Sequence, residues 1–178
     1  MKRHFRNIIL IGMAGAGKST IGPLLAAQTG CTYVDTDQLI ARDQGRPIQE
    51  VLDRLGPAGF SRLEDRILLS LQLRDHVIAT GGSAVYCRAG MRHLQATGIV
   101  VLLEAELDTL RQRVNNPDSR GLVNPAGESF ARLYRNRLPL YRHYADLTVA
   151  TSGVGPEEVC REILAGLSMV FPHGQQWM

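Results

Sequence analysis

Lysine is almost missing from this chain. Only Lys2 and Lys18 occur among its 20 basic residues, and the other 18 are arginines. The arginines are scattered rather than gathered in runs. Aromatic residues make up only 6% of the chain, with a single Trp. A basic stripe interleaved with aromatics, the footprint of nucleic-acid binding, is therefore absent despite a net charge of +3. Arginine is instead the residue for bidentate capture of phosphate and carboxylate. Cysteine is scarce too. Cys31, Cys87 and Cys160 are odd in number, widely spaced and without a C-x-x-C pair, which argues against a disulfide framework or a zinc site. Long apolar runs are missing as well. The longest, Gly98 to Leu103, is far too short to cross a bilayer. The basic start, Met1 to Arg6, leads into the strand-length run Ile8 to Ile11 and not into a secretory apolar segment. These absences predict a soluble cytoplasmic protein with neither a membrane nor a nucleic-acid partner. No internal repeat or low-complexity segment is visible.

What is present is alternation. The 178 residues suffice for one domain, 1–178, with a substantial core. Short apolar runs read as strands at Ile8–Ile11, Thr32–Val34, Val77–Ala79, Ile99–Leu103 and Leu147–Val149. Helical spacing is clear at Ser19–Gln28, Phe60–Leu73, Leu107–Val114, Ser129–Tyr134 and Glu157–Leu167, the last opened by Pro156. Gly30 and Gly98 sit where helix C-caps belong. Strand and helix in turn predict an α/β fold: a parallel sheet with helices on both faces and ligands at the carboxyl ends of the strands. Two stretches break the pattern. The segment 36–73 is mostly helical. The segment 115–128 is polar and rich in Gly and Pro, as mobile functional loops are.

The sharpest motif is Gly12-Met-Ala-Gly-Ala-Gly17-Lys18-Ser19, which matches G-x-x-x-x-G-K-[ST] after a strand and before a helix. Its glycines turn backbone N–H groups of Ala14, Gly15 and Ala16 inward around phosphate oxygens. The helix N-terminus through Thr20 adds dipole and free donors. Lys18 reaches the terminal phosphates, and the Ser19 hydroxyl can ligate Mg²⁺. No N-K-x-D is present to read guanine, which points to ATP as the nucleotide. Asp53-Arg-Leu-Gly56 matches D-x-x-G but lies in a helical stretch.

At the end of the second strand stands Val34-Asp35-Thr36-Asp37. Two carboxylates two residues apart at a strand-to-helix bend can both face the phosphate loop. One can support Mg²⁺ through a water, and the other can take the proton of an attacking hydroxyl. Thr36 or Asp37 also suits the N-cap of a helix over Gln38–Arg42.

With these segments in place the chain resembles the shikimate kinase family, P-loop small-molecule kinases with a fold like that of nucleoside monophosphate kinases. The resemblance covers nearly the whole chain. It is carried by Gly12–Thr20, Asp35-Thr-Asp37, Gly59-Phe60 with Glu64, Ala79-Thr80-Gly81-Gly82, Arg120, and Arg137-Leu-Pro-Leu-Tyr141 with Ala145-Asp146. It implies five parallel strands, ATP as donor with Mg²⁺, a mobile lid over about 115–128 and a small helical acceptor-binding insertion over about 36–73. It further implies an acceptor carrying a hydroxyl and a carboxylate, shikimate above all, a place in amino-acid biosynthesis, and a monomer. Ser19 and Asp35 would serve the metal. Asp37 would contact the acceptor hydroxyl alongside Gly81, Gly82 and the residue at 83, and Arg137 would pair with the acceptor carboxylate. Arg120 would reach from the lid to the transferring phosphate, and Arg113 would stack on adenine. Residue chemistry agrees, since a lid arginine stabilises developing phosphoryl charge while closure excludes water. Arg137 precedes Leu-Pro, a pair expected to end its helix.

The acceptor half departs from the family pattern. Ser61 stands where the family carries a carboxylate-binding arginine, and Arg62, one residue on, is turned by about 100° on a helix. Ser83 replaces the third glycine. Leu52 falls where an aromatic is common, and Arg120-Gly121-Leu122-Val123 replaces Arg-Pro-Leu-Leu. Homoserine or a similar hydroxy acid is the alternative acceptor. A non-catalytic nucleotide-binding module is the alternative of another class, opposed by the intact Lys18, Ser19, Asp35, Asp37 and Arg120. Losing one charge-assisted pair costs about 1.5–3 kcal/mol, or about 10- to 150-fold in affinity. Ser61→Arg is therefore expected to lower the KM for shikimate by about tenfold. Efficient wild-type turnover of shikimate, with no effect of Arg62→Ala, would show instead that one arginine suffices.

Overall fold

The first strand dictates the centre of the molecule. β1 (Asn7–Ile11) reads NIILI, and all five residues are buried. A strand apolar on both sides must be flanked by strands and covered above and below. The other strands are β2 (Thr32–Asp35), β3 (His76–Ala79), β4 (Gly98–Glu104) and β5 (Leu147–Ala150). In the computed structural model, which describes residues 7–114 and 128–170, they form one parallel sheet in the order β2-β3-β1-β4-β5. β3 and β4 lie on either side of β1, so the chain changes direction across the sheet at the carboxyl end of β1. Ligands bind at such a point in open α/β sheets.

Among the described residues seven α-helices surround the sheet: α1 (Lys18–Thr29), α2 (Thr36–Gln44), α3 (Ile48–Ser70), α4 (Arg88–Thr97), α5 (Leu107–Arg113), α6 (Phe130–Tyr144) and α7 (Pro156–Val170). α1 packs on α7, and α3 packs on α2 and α4. Among the described residues no helix is long and apolar enough to cross a membrane. At the amino end of β1 the buried Asn7 side chain donates to Leu73 O (2.8 Å) and Thr97 O (3.3 Å) and accepts from His76 N (3.1 Å). One polar residue thus ties three chain segments beneath the sheet and leaves its carboxyl edge for chemistry.

The apolar residues divide into two clusters. The main core includes β1, β3, β4 and the inner faces of α1, α4, α6 and α7. Ile40, Val51, Leu52, Phe60 and Leu63 form a smaller one, with Ile48 and Ile67 against it. The segment 36–73 therefore has its own packing centre, as a satellite cluster under an insertion should. Leu52 is spent in that cluster.

Several boundaries differ from the sequence reading, each for a physical reason. α6 does not end at Leu138-Pro139 but runs on to Tyr144. Its buried residues Phe130, Leu133, Arg137, Tyr141 and Tyr144 form an unbroken stripe at helical spacing, and that burial outweighs the hydrogen bond Pro139 cannot make. The N-cap of α2 is Asp35, not Thr36 or Asp37; its Oδ1 accepts from Asp37 N (2.9 Å) and Gln38 N (3.2 Å). α3 starts at Ile48, well before Phe60, and is kinked at Gly56 (φ 64°, ψ 172°), just ahead of Pro57. α4 is a helix that the sequence reading did not name; its buried face is Gly90, Met91 and Leu94. Segments 115–127 and 171–178, with Arg120 and most of the expected lid, lie outside the described residues.

Gly98 does follow α4, but its backbone is extended (φ −163°) rather than left-handed. Its reason is space: a Cβ there would lie 2.3 Å from Ile9 Cδ1 and 2.5 Å from the backbone oxygen of Asn7. Gly98→Ala is expected to destabilise the fold by about 1–3 kcal/mol, lowering Tm by several degrees at about 2–4 °C per kcal/mol. An unchanged melting curve would show that β1 and β4 separate freely.

Candidate active site

The phosphate loop begins where β1 ends. Gly12 has φ +144°, and a Cβ there would sit 2.5 Å from Leu103 O, so only glycine lets the loop leave this close to β4. Gly17 caps α1 with no side-chain hydrogen bond, which leaves first-turn N–H groups for an anion. Lys18 Nζ donates to Gly12 O (2.7 Å) and Met13 O (2.9 Å), so the loop holds its own lysine across its mouth.

The facing wall comes from α2 and the turn after β3. Thr36, fully buried, accepts a hydrogen bond at Oγ1 from Gly81 N (3.0 Å) and ties the start of α2 to that turn. A Cβ on Gly81 would meet Asp37 Oδ1 at 2.5 Å and Glu64 Oε1 at 2.7 Å. Glycine leaves here the room that the two carboxylate ends occupy. Glu64 is wholly buried; its Oε2 accepts from Ser83 Oγ (2.7 Å) and lies 3.7 Å from Cys87 Sγ. Its Oε1 has no hydrogen-bond partner among the described residues. Arg137 is buried beside Gly82, whose carbonyl accepts from Tyr141 Oη (2.6 Å).

Between these walls lies a cavity of about 690 Å³. Ala14, Gly15, Ala16, Gly17, Lys18, Ser19 and Thr20 line one end, and Asp35, Asp37, Gly82, Ser83 and Arg137 line the other. Ile48 and Phe60 bring the satellite cluster to its edge, and Arg113, Val114, Thr151, Val154 and Pro156 extend it past the loop. Arg113 is fixed there by hydrogen bonds to Thr151 O (2.6 Å) and Thr151 Oγ1 (3.2 Å). Gly12 and Gly81 form the backing rather than the lining. Ser61 is not among the lining residues; its Oγ lies 3.9 Å from Cys87 Sγ. The sequence reading took Thr36 only as a candidate helix cap, used Glu64 only as a mark of the resemblance, and gave Thr151 no role. Glu64 left a trace, a lone carboxylate between Leu63 and Leu68 on the buried face of α3.

Burial sets the electrostatics. It lowers the Lys18 pKa to about 8, against the pull of Asp37 and Asp35. It raises Asp37 to about 6, helped by Asp35 and opposed by Lys18. It raises Glu64 to about 7, and donation from Ser83 recovers only part of the loss. An ammonium poised near 8 beside a carboxylate poised near 6 suits proton transfer at neutral pH.

A family model described as shikimate kinase matches residues 14–168. The chain belongs to the shikimate kinase family. It is 38% identical over 169 residues to the shikimate kinase of Thiobacillus denitrificans, covering 93% of this chain and 87% of that one. It is 39% identical over 168 residues to the shikimate kinase of Rhizobium meliloti, covering 92% and 86%. Its structure is similar to shikimate kinase from Acinetobacter baumannii in complex with shikimate, with a TM-score of 0.86 at 30% identity over 95% of this chain and 96% of that one. Members of this family are ATP-dependent phosphotransferases, so the P-loop fold and the kinase class expected from the sequence both hold.

Glu64 should leave a signature in stability. Native Glu64 keeps its proton up to about pH 7, whereas a free glutamate loses it near 4.5. The native state then binds more protons in this window, so its stability falls as pH rises from about 4.5 to 7. Asp37 pulls the same way between 3.8 and about 6. Glu64→Gln has no proton to lose and should flatten the upper part of the Tm-against-pH curve. Equal slopes in variant and wild type would mean that native Glu64 titrates normally.

Proposed function

We propose that this enzyme transfers the γ-phosphoryl group of ATP to a hydroxyl of shikimate. The observation that carries the reading is the single cavity that joins the phosphate loop to Asp37 and Arg137. ATP phosphates follow the loop backbone from Ala14 to Thr20, where the Ala16 and Thr20 N–H groups are already donated to Met13 O and Gly17 O, with Lys18 neutralising their charge. The base lies against Arg113, Val154 and Pro156. The double tie of Arg113 to Thr151 holds its guanidinium as a flat platform for stacking. The acceptor sits at the other end. Asp37 takes the proton of its attacking hydroxyl, and Arg137 pairs with its carboxylate. Gly82 and Ser83 lie against its ring, with Ser61 behind them. Arg120 reaches the transferring phosphate, by resemblance alone.

Mg²⁺ fits the donors at the phosphate end. Ser19 and Asp35 offer hard oxygens to the cavity, and the Asp35 carboxylate is oriented by capping α2. No cluster of three His, Cys, Asp or Glu among the described residues would trap a metal by itself, as suits an ion held largely by phosphates and water. Ser19 directly and Asp35 through water would hold it, and when bound it neutralises phosphate charge.

Relatives named shikimate kinase, matched over most of both chains, support shikimate over homoserine. Convergence of Lys18, Asp37 and Arg137 on one cavity supports catalysis over a nucleotide-binding module. A monomer follows from the resemblance alone, and the ATP supply supports a cytoplasmic site of action.

The test is ADP release with shikimate as acceptor. Lys18→Ala and Asp37→Asn should each lower kcat by about a hundredfold or more while Tm is kept. Asp37 acts ionised and Lys18 acts as the ammonium. Activity should therefore fall below about pH 6 and above about pH 8, a bell with those two limbs. Wild-type rates in either variant would remove the role assigned to that residue.

A further inference from the structure

Arg137 is the largest of the fully buried side chains, at 1% exposure. Its surroundings are unusually specific. Gly82 presses on one side, where a Cβ would lie 3.2 Å from Nη1. Tyr141 shares a hydrogen bond with Arg137 and donates to Gly82 O, locking that side to the turn after β3. Tyr86 supplies an aromatic face, its ring centroid 5.3 Å from Arg137 Cζ.

Core packing alone does not explain Tyr86, because it is 37% exposed. It is nevertheless well anchored. It closes the short 3₁₀ turn Ala84–Tyr86, and its N–H donates to Ser83 O (2.9 Å). Ser83 in turn is fixed to the buried Glu64 (2.7 Å). The chain Glu64, Ser83, Tyr86 therefore sets where the ring stands, and the ring stands at the guanidinium.

A guanidinium meets carboxylates through its in-plane N–H groups and aromatic rings through its face. The two contacts do not compete. A ring against the face bears on the plane in which the N–H groups lie. At the acceptor end of the cavity Arg137 is the only cation among the described lining residues; Lys18 and Arg113 belong to the nucleotide end, and Ser61 brings no charge. The orientation of this one guanidinium then decides how well a carboxylate is held.

We propose that Tyr86 is a positioning residue for the acceptor's carboxylate, its ring holding Arg137 in the plane in which that carboxylate binds. The proposal rests on the carboxylated acceptor assigned above. Tyr86→Leu keeps apolar bulk and loses the ring face; Tyr86→Phe keeps the face. The leucine variant should raise the KM for shikimate about 2- to 30-fold, the range of one cation–π contact. Its kcat and its KM for ATP should stay within about twofold of wild type, and Tyr86→Phe should return the KM for shikimate to near the wild-type value. Shikimate methyl ester, which lacks the anionic carboxylate, should show the same KM with wild type and Tyr86→Leu. If the leucine variant does not fold, Tyr86→Met tests the same point.

Three results bear against the idea. An unchanged shikimate KM in Tyr86→Leu overturns it, while shikimate turnover by the wild type keeps the acceptor assignment standing. An equal rise with shikimate and its ester also overturns it, since the ring would then merely shape the pocket. A wild-type enzyme that does not phosphorylate shikimate brings down the acceptor assignment and this inference together.

Discussion

Asp37 and Glu64 crowd the same glycine, and much of the acceptor side follows from the cost of putting two carboxylates in one dry corner. Desolvation penalises each anion and each penalises the other. The structure resolves the conflict by treating them differently. Asp37 lies half-buried on the cavity with Lys18 close enough to favour its anion, and its pKa settles at about 6. Glu64 is walled off with a serine hydroxyl and a thiol beside one oxygen and no partner on the other, and its pKa settles at about 7. One is therefore ionised and available as a base, while the other keeps its proton for much of the neutral range and serves as a post for Ser83.

That corner is held in place by the sheet. The loop of α1 and the turn after β3 meet because β1 and β3 are neighbours in register, Leu10 opposite Ala79. Thr80 extends the pairing with two bonds to Leu10 O, from its N (3.0 Å) and its Oγ1 (3.2 Å). Asp35 joins from β2, opposite Ala79 on the far side of β3. Three strand ends thus present Lys18, Asp37 and Gly81–Ser83 to one another with little freedom. The segment 36–73 closes the site by a different rule: its own apolar cluster sends Ile48 and Phe60 to the cavity edge. Packing within that cluster and the shape of the acceptor pocket are the same variable.

The legible parts of the sequence were those where a local rule had no strong rival. All five strands and the phosphate loop were readable because a parallel core demands continuous apolar runs and a phosphate demands glycine, lysine and a helix start. Asp35 and Asp37 were readable as a pair, and the resemblance divided their roles, but the cap on α2 was sought at Thr36 or Asp37 because a residue assigned to the metal was not expected to cap the helix as well. Pro139 misled because the buried stripe that overrides it runs through Arg137, which the resemblance placed in the site but which no apolar period would include. Glu64 was missed as a working residue for a related reason. Its partners, Ser83 and Cys87, are 19 and 23 residues away and carry no signature of their own. Tyr86 is legible only once the turn after β3 has a direction.

The change at Ser61 and the raised pKa of Glu64 belong together. Cys87 Sγ lies 3.5 Å from Ser61 O and 3.7 Å from Glu64 Oε2, so the side chain at 61 stands one thiol away from the buried acid. An arginine at 61 would bring a cation into that neighbourhood, and a nearby cation favours the carboxylate form. With serine there, position 61 adds no charge, and Arg137 is left to oppose the desolvation and the Asp37 anion. An ionised Glu64 is a buried anion facing Asp37, and the hydroxyl of Ser83 and the guanidinium of Arg137 offset only part of that cost. Serine at 83 in place of glycine supplies that hydroxyl. The residues at 61 and 83 thus bear on the same acid from opposite sides: Ser61 brings it no cation, and Ser83 brings a donor that favours its carboxylate without overcoming the burial that keeps its pKa near 7.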